Sequence, residues 1–93
     1  MLNQENLDKC LKVLHKYGYQ PQLLMVVEEC SELQKAACKL LRNKTMLVSQ
    51  SENFKEEIVD VIVMTAQAVV MSGMSAEEIN RRAQEKLDRT LAR

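Results

Sequence analysis

Between Val61 and Met71 the chain reads Val-Ile-Val-Met-Thr-Ala-Gln-Ala-Val-Val-Met. On an α-helix this stretch is apolar almost all the way round, and such a helix has to be buried on every side. The chain has 93 residues, near the size at which a single core is only marginally sufficient. Four helices of that total length cannot easily enclose one of their own number. The stretch therefore predicts an all-α bundle completed by oligomerisation, an obligate homo-oligomer that is a dimer or a tetramer. It does not predict a membrane span: the apolar segment from Ile58 to Met71 includes Asp60 and Gln67 and falls short of the ~20 residues a bilayer requires.

Composition agrees with helices. Two Gly and one Pro in the whole chain leave too few turn residues for a β-rich fold. Apolar residues make up 46% but aromatics only 3%, so the core has to come from Leu, Val, Ile, Met and Ala. Thirteen basic residues balance thirteen acidic ones, which removes the bulk electrostatic case for nucleic acid or an anionic membrane as partner. Cys10, Cys30 and Cys38 are odd in number and match no zinc or redox spacing; they read as buried thiols in a reducing compartment. The opening Met1-Leu2-Asn3-Gln4-Glu5-Asn6 turns polar at once, and the expectation is a soluble, cytoplasmic, single-domain protein over residues 1–93.

Periodicity sets the elements. A first helix is expected from about Asn3 to Tyr17, with Leu7, Leu11, Val13 and Leu14 as its stripe and Gly18 as its stop. His15, the single histidine, sits beside Lys16 near the helix end and reads as a surface residue. Pro21 marks the first turn of a second helix reaching about Asn43. Residues 43–51 read as a polar linker, and a short linker makes the second and third helices antiparallel neighbours. Ser49 with Glu52 offers a capping box for a third helix from about Glu52 to Ser72, stopped by Gly73. Ser75 with Glu78 offers another for a fourth helix to about Leu91. That helix carries Arg82, Lys86, Arg89 and Arg93 on one side, and Lys35, Lys39, Arg42 and Lys44 close the second. Either basic group reads as a solvated face answering the helix dipole; the fourth-helix group reads also as a phosphate contact.

The chemistry lies in two acidic pairs. Glu29 with Glu32, and Glu57 with Asp60, are each three apart and project from one helix face about 5–6 Å from each other. The first pair shares its side with Met25, Leu33, Ala36 and Leu40, the second with Val61, Met64, Ala68 and Met71. Both pairs thus interrupt apolar stripes, where unpaired carboxylates are costly unless compensated. Four inward carboxylates on adjacent helices suit a hard cation, Mg²⁺, Mn²⁺ or Ca²⁺. A di-iron site would need Glu-x-x-His motifs, and zinc would need nitrogen or sulfur ligands. Gln22 falls on the face of Glu29, either as a surface amide or as a contact to whatever binds near the acids. Tyr17 and Tyr19 flank the turn before it and are the rings placed to stack on a planar ligand.

Glu28-Glu29-x-x-Glu32 followed by Glu57-x-x-Asp60, with Gln22-Leu23-Leu24-Met25-Val26-Val27 leading in, Ile58-Val59-Asp60-Val61-Ile62 around the second motif and Lys86-Leu87-Asp88-Arg89 closing, resembles the all-α nucleoside triphosphate pyrophosphohydrolases of the MazG type. The resemblance covers residue 20 to the end. It implies a four-helix MazG-like bundle that hydrolyses (deoxy)nucleoside triphosphates to monophosphate and pyrophosphate, clearing unwanted nucleotides. It implies Glu29, Glu32, Glu57 and Asp60 as Mg²⁺ ligands, with Mn²⁺ possible. Glu28 and Glu56 match the extra acids beside the ligands, as catalytic groups holding a water or a further metal. Lys86 and Arg89 match phosphate-contacting positions. Two alternatives stand beside it: a phosphoribosyl-ATP pyrophosphohydrolase of the same superfamily, and a non-catalytic helical interaction module.

Overall fold

The computed structural model describes residues 1–43 and 48–93, and the described residues form four helices: α1 (Gln4–Tyr17), α2 (Tyr19–Arg42), α3 (Val48–Ser72) and α4 (Ala76–Leu91). Each boundary has a local cause. Asn3 caps α1, its side-chain oxygen accepting the Asn6 N–H at 2.9 Å. Gly18 ends it at φ +90°, its own N–H returning to the Leu14 carbonyl at 2.8 Å. With ψ at 170°, Gly18 occupies backbone space that side chains exclude. One residue suffices to turn the chain, and α2 starts at Tyr19, with Pro21 in its first turn. Gly73, at φ +75°, likewise closes α3. Ser75 caps α4, accepting the Glu78 N–H at 3.1 Å. The Glu78 carboxylate does not return the bond: it pairs with Arg82 at 2.8 Å.

The third helix starts earlier than the Ser49–Glu52 signal predicts. It is already helical at Val48, so Ser49 lies inside it and caps nothing. The stretch Val48-Ser49-Gln50-Ser51 contains no Gly or Pro, and serine costs a helix too little to stop one. The predicted linker shrinks accordingly, and its residues 44–47, Lys44 among them, lie outside the described residues.

Helices α2 and α3 pack along their length, and α1 lies against both. The pairing is antiparallel, since Gln22 near the start of α2 bonds Gln67 near the end of α3. The seam follows a three-four spacing on both sides: Gln22, Met25, Glu29, Leu33 and Ala36 on α2, and Gln67, Met64, Asp60 and Glu57 in the reverse direction on α3. That spacing belongs to helices packed like a coiled coil. Helix α4 leaves α3 at a 110° bend and packs on none of the other described helices.

The buried apolar set is small: Cys10, Leu14, Ala36 and Met64. Of the expected α1 stripe only Leu14 is enclosed; Leu7, Leu11 and Val13 stay exposed. Cys10 is buried, with its thiol donating to the Val63 carbonyl at 3.8 Å, and burial pushes its pKa up. Cys30 and Cys38 are exposed, contrary to the expectation of buried thiols, because they lie off the seam on the side of α2 that no helix covers. Nor is α3 enclosed: Val59 and Val70 face solvent. The chain exposes 7449 Å², against roughly 5,500 Å² for a compact monomer of its mass. Its radius of gyration is 15.6 Å, against about 12 Å for a compact domain of its length. No single described helix is long and apolar enough to cross a membrane.

Candidate metal centre

Glu29 from α2 and Glu57 and Asp60 from α3 come together on the seam, each with a carboxylate oxygen within 4.8 Å of the others. The seam register does this. Glu29 lies seven residues after Gln22, and Asp60 seven before Gln67, so both pairs meet in one antiparallel alignment, two helical turns apart. Glu57 is one further turn along α3, on the same side as Asp60.

Negative charge is concentrated here without a cation to answer it. The ion pairs among the described residues, Lys9–Glu5, Lys55–Glu52, Arg81–Glu85 and Arg82–Glu78, all join neighbours on one helix. None involves Glu28, Glu29, Glu32, Glu56, Glu57 or Asp60. Glu29 holds its proton above the ordinary carboxylate range. Partial burial is the largest cause, followed by the charges of Asp60 and Glu57, a hydrogen bond shared with Asp60, and the charge of Glu32.

The other expected site residues fall differently. Glu32 is exposed one turn along α2, close enough to act on Glu29 electrostatically but outside the three-oxygen group. Glu28 and Glu56 are exposed, each next to a clustered acid in sequence and so about 100° round its helix from it. Lys86 and Arg89 lie exposed on α4, which touches neither α2 nor α3. Gln22 is no surface amide: it is 6% exposed and its Nε2 donates to Gln67 Oε1 at 2.9 Å. Gln67, 1% exposed, was not among the expected site residues. Its signal was a lone amide in an apolar run, seven residues from Asp60.

Three carboxylates on a half-open seam form an all-oxygen donor set. Two oxygens bound to one Mg²⁺ at about 2.1 Å can lie no more than about 4.2 Å apart, so small rotamer shifts bring the group within reach of an ion. Softer metals would find no nitrogen or sulfur donor in it. Compared with protein-family models, curated proteins and solved structures, the chain matches none. The likeness to MazG-type enzymes therefore rests on the acidic motifs and their surroundings.

Proposed function

We propose that the chain is a Mg²⁺-dependent nucleoside triphosphate pyrophosphohydrolase of the MazG type, acting as a homo-oligomer in the cytoplasm, with Mn²⁺ able to replace Mg²⁺. The observation that carries this reading is the meeting of Glu29, Glu57 and Asp60 across two helices, with no ion pair to them among the described residues. Like charges held together raise one another's proton affinity, and a divalent cation is the simplest compensation. Mg²⁺ bound through a few carboxylates keeps positions for phosphate oxygens. When bound, it would neutralise phosphate charge and favour attack by water.

The chain's own residues then divide the work. Glu29, Glu57 and Asp60 would hold the cation, and Glu32 would join them by turning inward. Glu28 or Glu56 accepts a proton from the attacking water. The water oxygen forms a bond to the α-phosphorus while the bond from that phosphorus to the bridging oxygen breaks, releasing pyrophosphate. Lys86 and Arg89 contact phosphate by docking of α4 on a neighbouring copy, since α4 packs on no other described helix of its own chain. The excess exposed surface, about 1,900 Å² per chain over a compact monomer, exceeds the ~800 Å² per partner of a standard interface and falls in the range of large obligate ones.

Pyrophosphate release from a panel of canonical and modified nucleoside triphosphates, and from phosphoribosyl-ATP, with Mg²⁺ and with EDTA, tests the reading. Metal-dependent release supports it, and the ranking identifies the substrate. A second reading, a helical interaction module, is favoured by the same exposed α3 and detached α4. Silence across the whole panel from a folded, associated sample would select it.

A further inference from the structure

A cleft of about 550 Å³ opens between α1, α2 and α3, lined by Val13, Tyr17, Gln22, Met25, Met64 and Gln67 among others. Apart from the Tyr17 hydroxyl, its polar lining is two primary amides, both more than nine-tenths buried. We propose that this cleft binds the heterocyclic base of the nucleotide whose phosphates lie at the carboxylates, a planar ring presenting a hydrogen-bond donor beside an acceptor on one edge. This rests on the pyrophosphohydrolase reading.

The amides carry the argument. Burying a primary amide is unfavourable unless its hydrogen bonds are met, and an apolar pair would fill the same seam without that cost. Here the two amides meet part of each other's capacity. Gln22 Nε2 donates to Gln67 Oε1 at 2.9 Å. Among the described residues Gln67 Nε2 has only the sulfur of Met64, at 3.9 Å, a weak acceptor. Gln22 Oε1 accepts no hydrogen bond from the described residues. The pair that lines the cleft thus keeps an unused acceptor in Gln22 Oε1 beside N–H groups of both amides that no oxygen of the described residues takes up, the complement of a nucleobase edge. Around them Met25 and Met64 supply polarisable contacts for the face of a ring. Tyr17, half exposed at the rim, supplies a stacking surface.

Position carries the rest. Gln22 and Gln67 stand seven residues from Glu29 and Asp60 respectively on the same seam, about 10 Å along the helices. A base in the cleft thus leaves its sugar to cross the intervening seam layer and its phosphates at the acids. One bound molecule would span both sites.

The test uses the full chain with Mg²⁺ and α,β-imido analogues of adenosine, guanosine, cytidine, uridine and thymidine triphosphates, beside inorganic tripolyphosphate. Affinity is measured by calorimetry, and the side-chain amide signals of Gln22 and Gln67 are followed by ¹⁵N NMR. The expected result is that at least one base binds about tenfold or more tighter than tripolyphosphate, with both amide signals shifted. The double variant Gln22→Leu/Gln67→Leu, which removes both partners and leaves no orphaned amide, should lose that advantage; its backbone spectrum reports its fold. Tyr17→Ala, at an exposed position, gives the same readout if the double variant fails to fold. A base advantage that survives these variants overturns the proposal. Binding of all analogues no tighter than tripolyphosphate also overturns it, while leaving the metal–phosphate reading standing. Base-dependent binding without turnover of the hydrolysable substrates upholds the cleft and removes the hydrolase. No binding of any probe removes both.

Discussion

Glu29 on α2 meets Asp60 on α3 in the same antiparallel register in which Gln22 meets Gln67 two turns away. A packed seam of this spacing ordinarily selects apolar residues. Here amides and acids hold the central positions, and Met25 and Met64 separate them. Two buried amides and three acids at the half-open end of the seam mark the helix pairing.

The raised proton affinity of Glu29 gives stability a pH dependence of definite sign. A carboxyl whose folded pKa exceeds its unfolded value binds protons more tightly when folded. It favours folding below the ordinary glutamate range, near 4.5, and that contribution is lost as pH rises through the raised value. In EDTA the melting temperature should decline across that interval. Mg²⁺ should raise it more at neutral pH than at pH ~4.5, because the ion requires the deprotonated acids. Thermal scans at several pH values check both slopes.

Asp60→Asn keeps shape and removes one charge from the three-oxygen group. Turnover should drop on the order of a hundredfold or more, a loss at or beyond the upper end of what outer-shell partners of a metal cost. In EDTA the variant should melt at or above the wild-type temperature, because like-charge repulsion is relieved. Parallel kinetics and melting curves read the two effects, and full activity would contradict the ligand assignment.

Ser75→Ala removes the cap of α4, a change that costs a helix about 1 kcal/mol. Within one chain α4 packs on no other described helix, so at high dilution the loss should stay local, as fraying of α4. In the associated state it should lower global stability and shift the oligomer toward monomer. Sedimentation velocity and hydrogen exchange across a concentration series separate the two regimes.

Gly18→Ala tests the turn between α1 and α2. A Cβ there would meet nothing within 4 Å, so crowding plays no part. The positive φ alone should cost on the order of 1–3 kcal/mol, measured by denaturant titration, with helix content retained.

Much of this was legible from periodicity. The Gly18 stop, the Ser75 cap and the antiparallel contact of the second and third helices follow from residues whose preferences are local. The placement of Glu29, Glu57 and Asp60 on apolar stripes also follows, since register fixes which face a residue joins. Three features were not legible. The start of α3 at Val48 was hidden because a serine followed three residues later by glutamate marks a cap only when the preceding residues resist the helix. The exposure of Cys30 and Cys38 depends on what covers α2, which residue type does not reveal. The burial of Gln22 against Gln67 depends on interhelical register, whereas either amide alone reads as surface.

The most direct measurement is phosphorus NMR of the wild-type chain with a nucleoside triphosphate, in Mg²⁺ and again in EDTA, beside Asp60→Asn. The account predicts monophosphate and pyrophosphate from the wild type in Mg²⁺ only, and little from the variant. Products of diphosphate and phosphate, or release indifferent to EDTA and to Asp60, would contradict it.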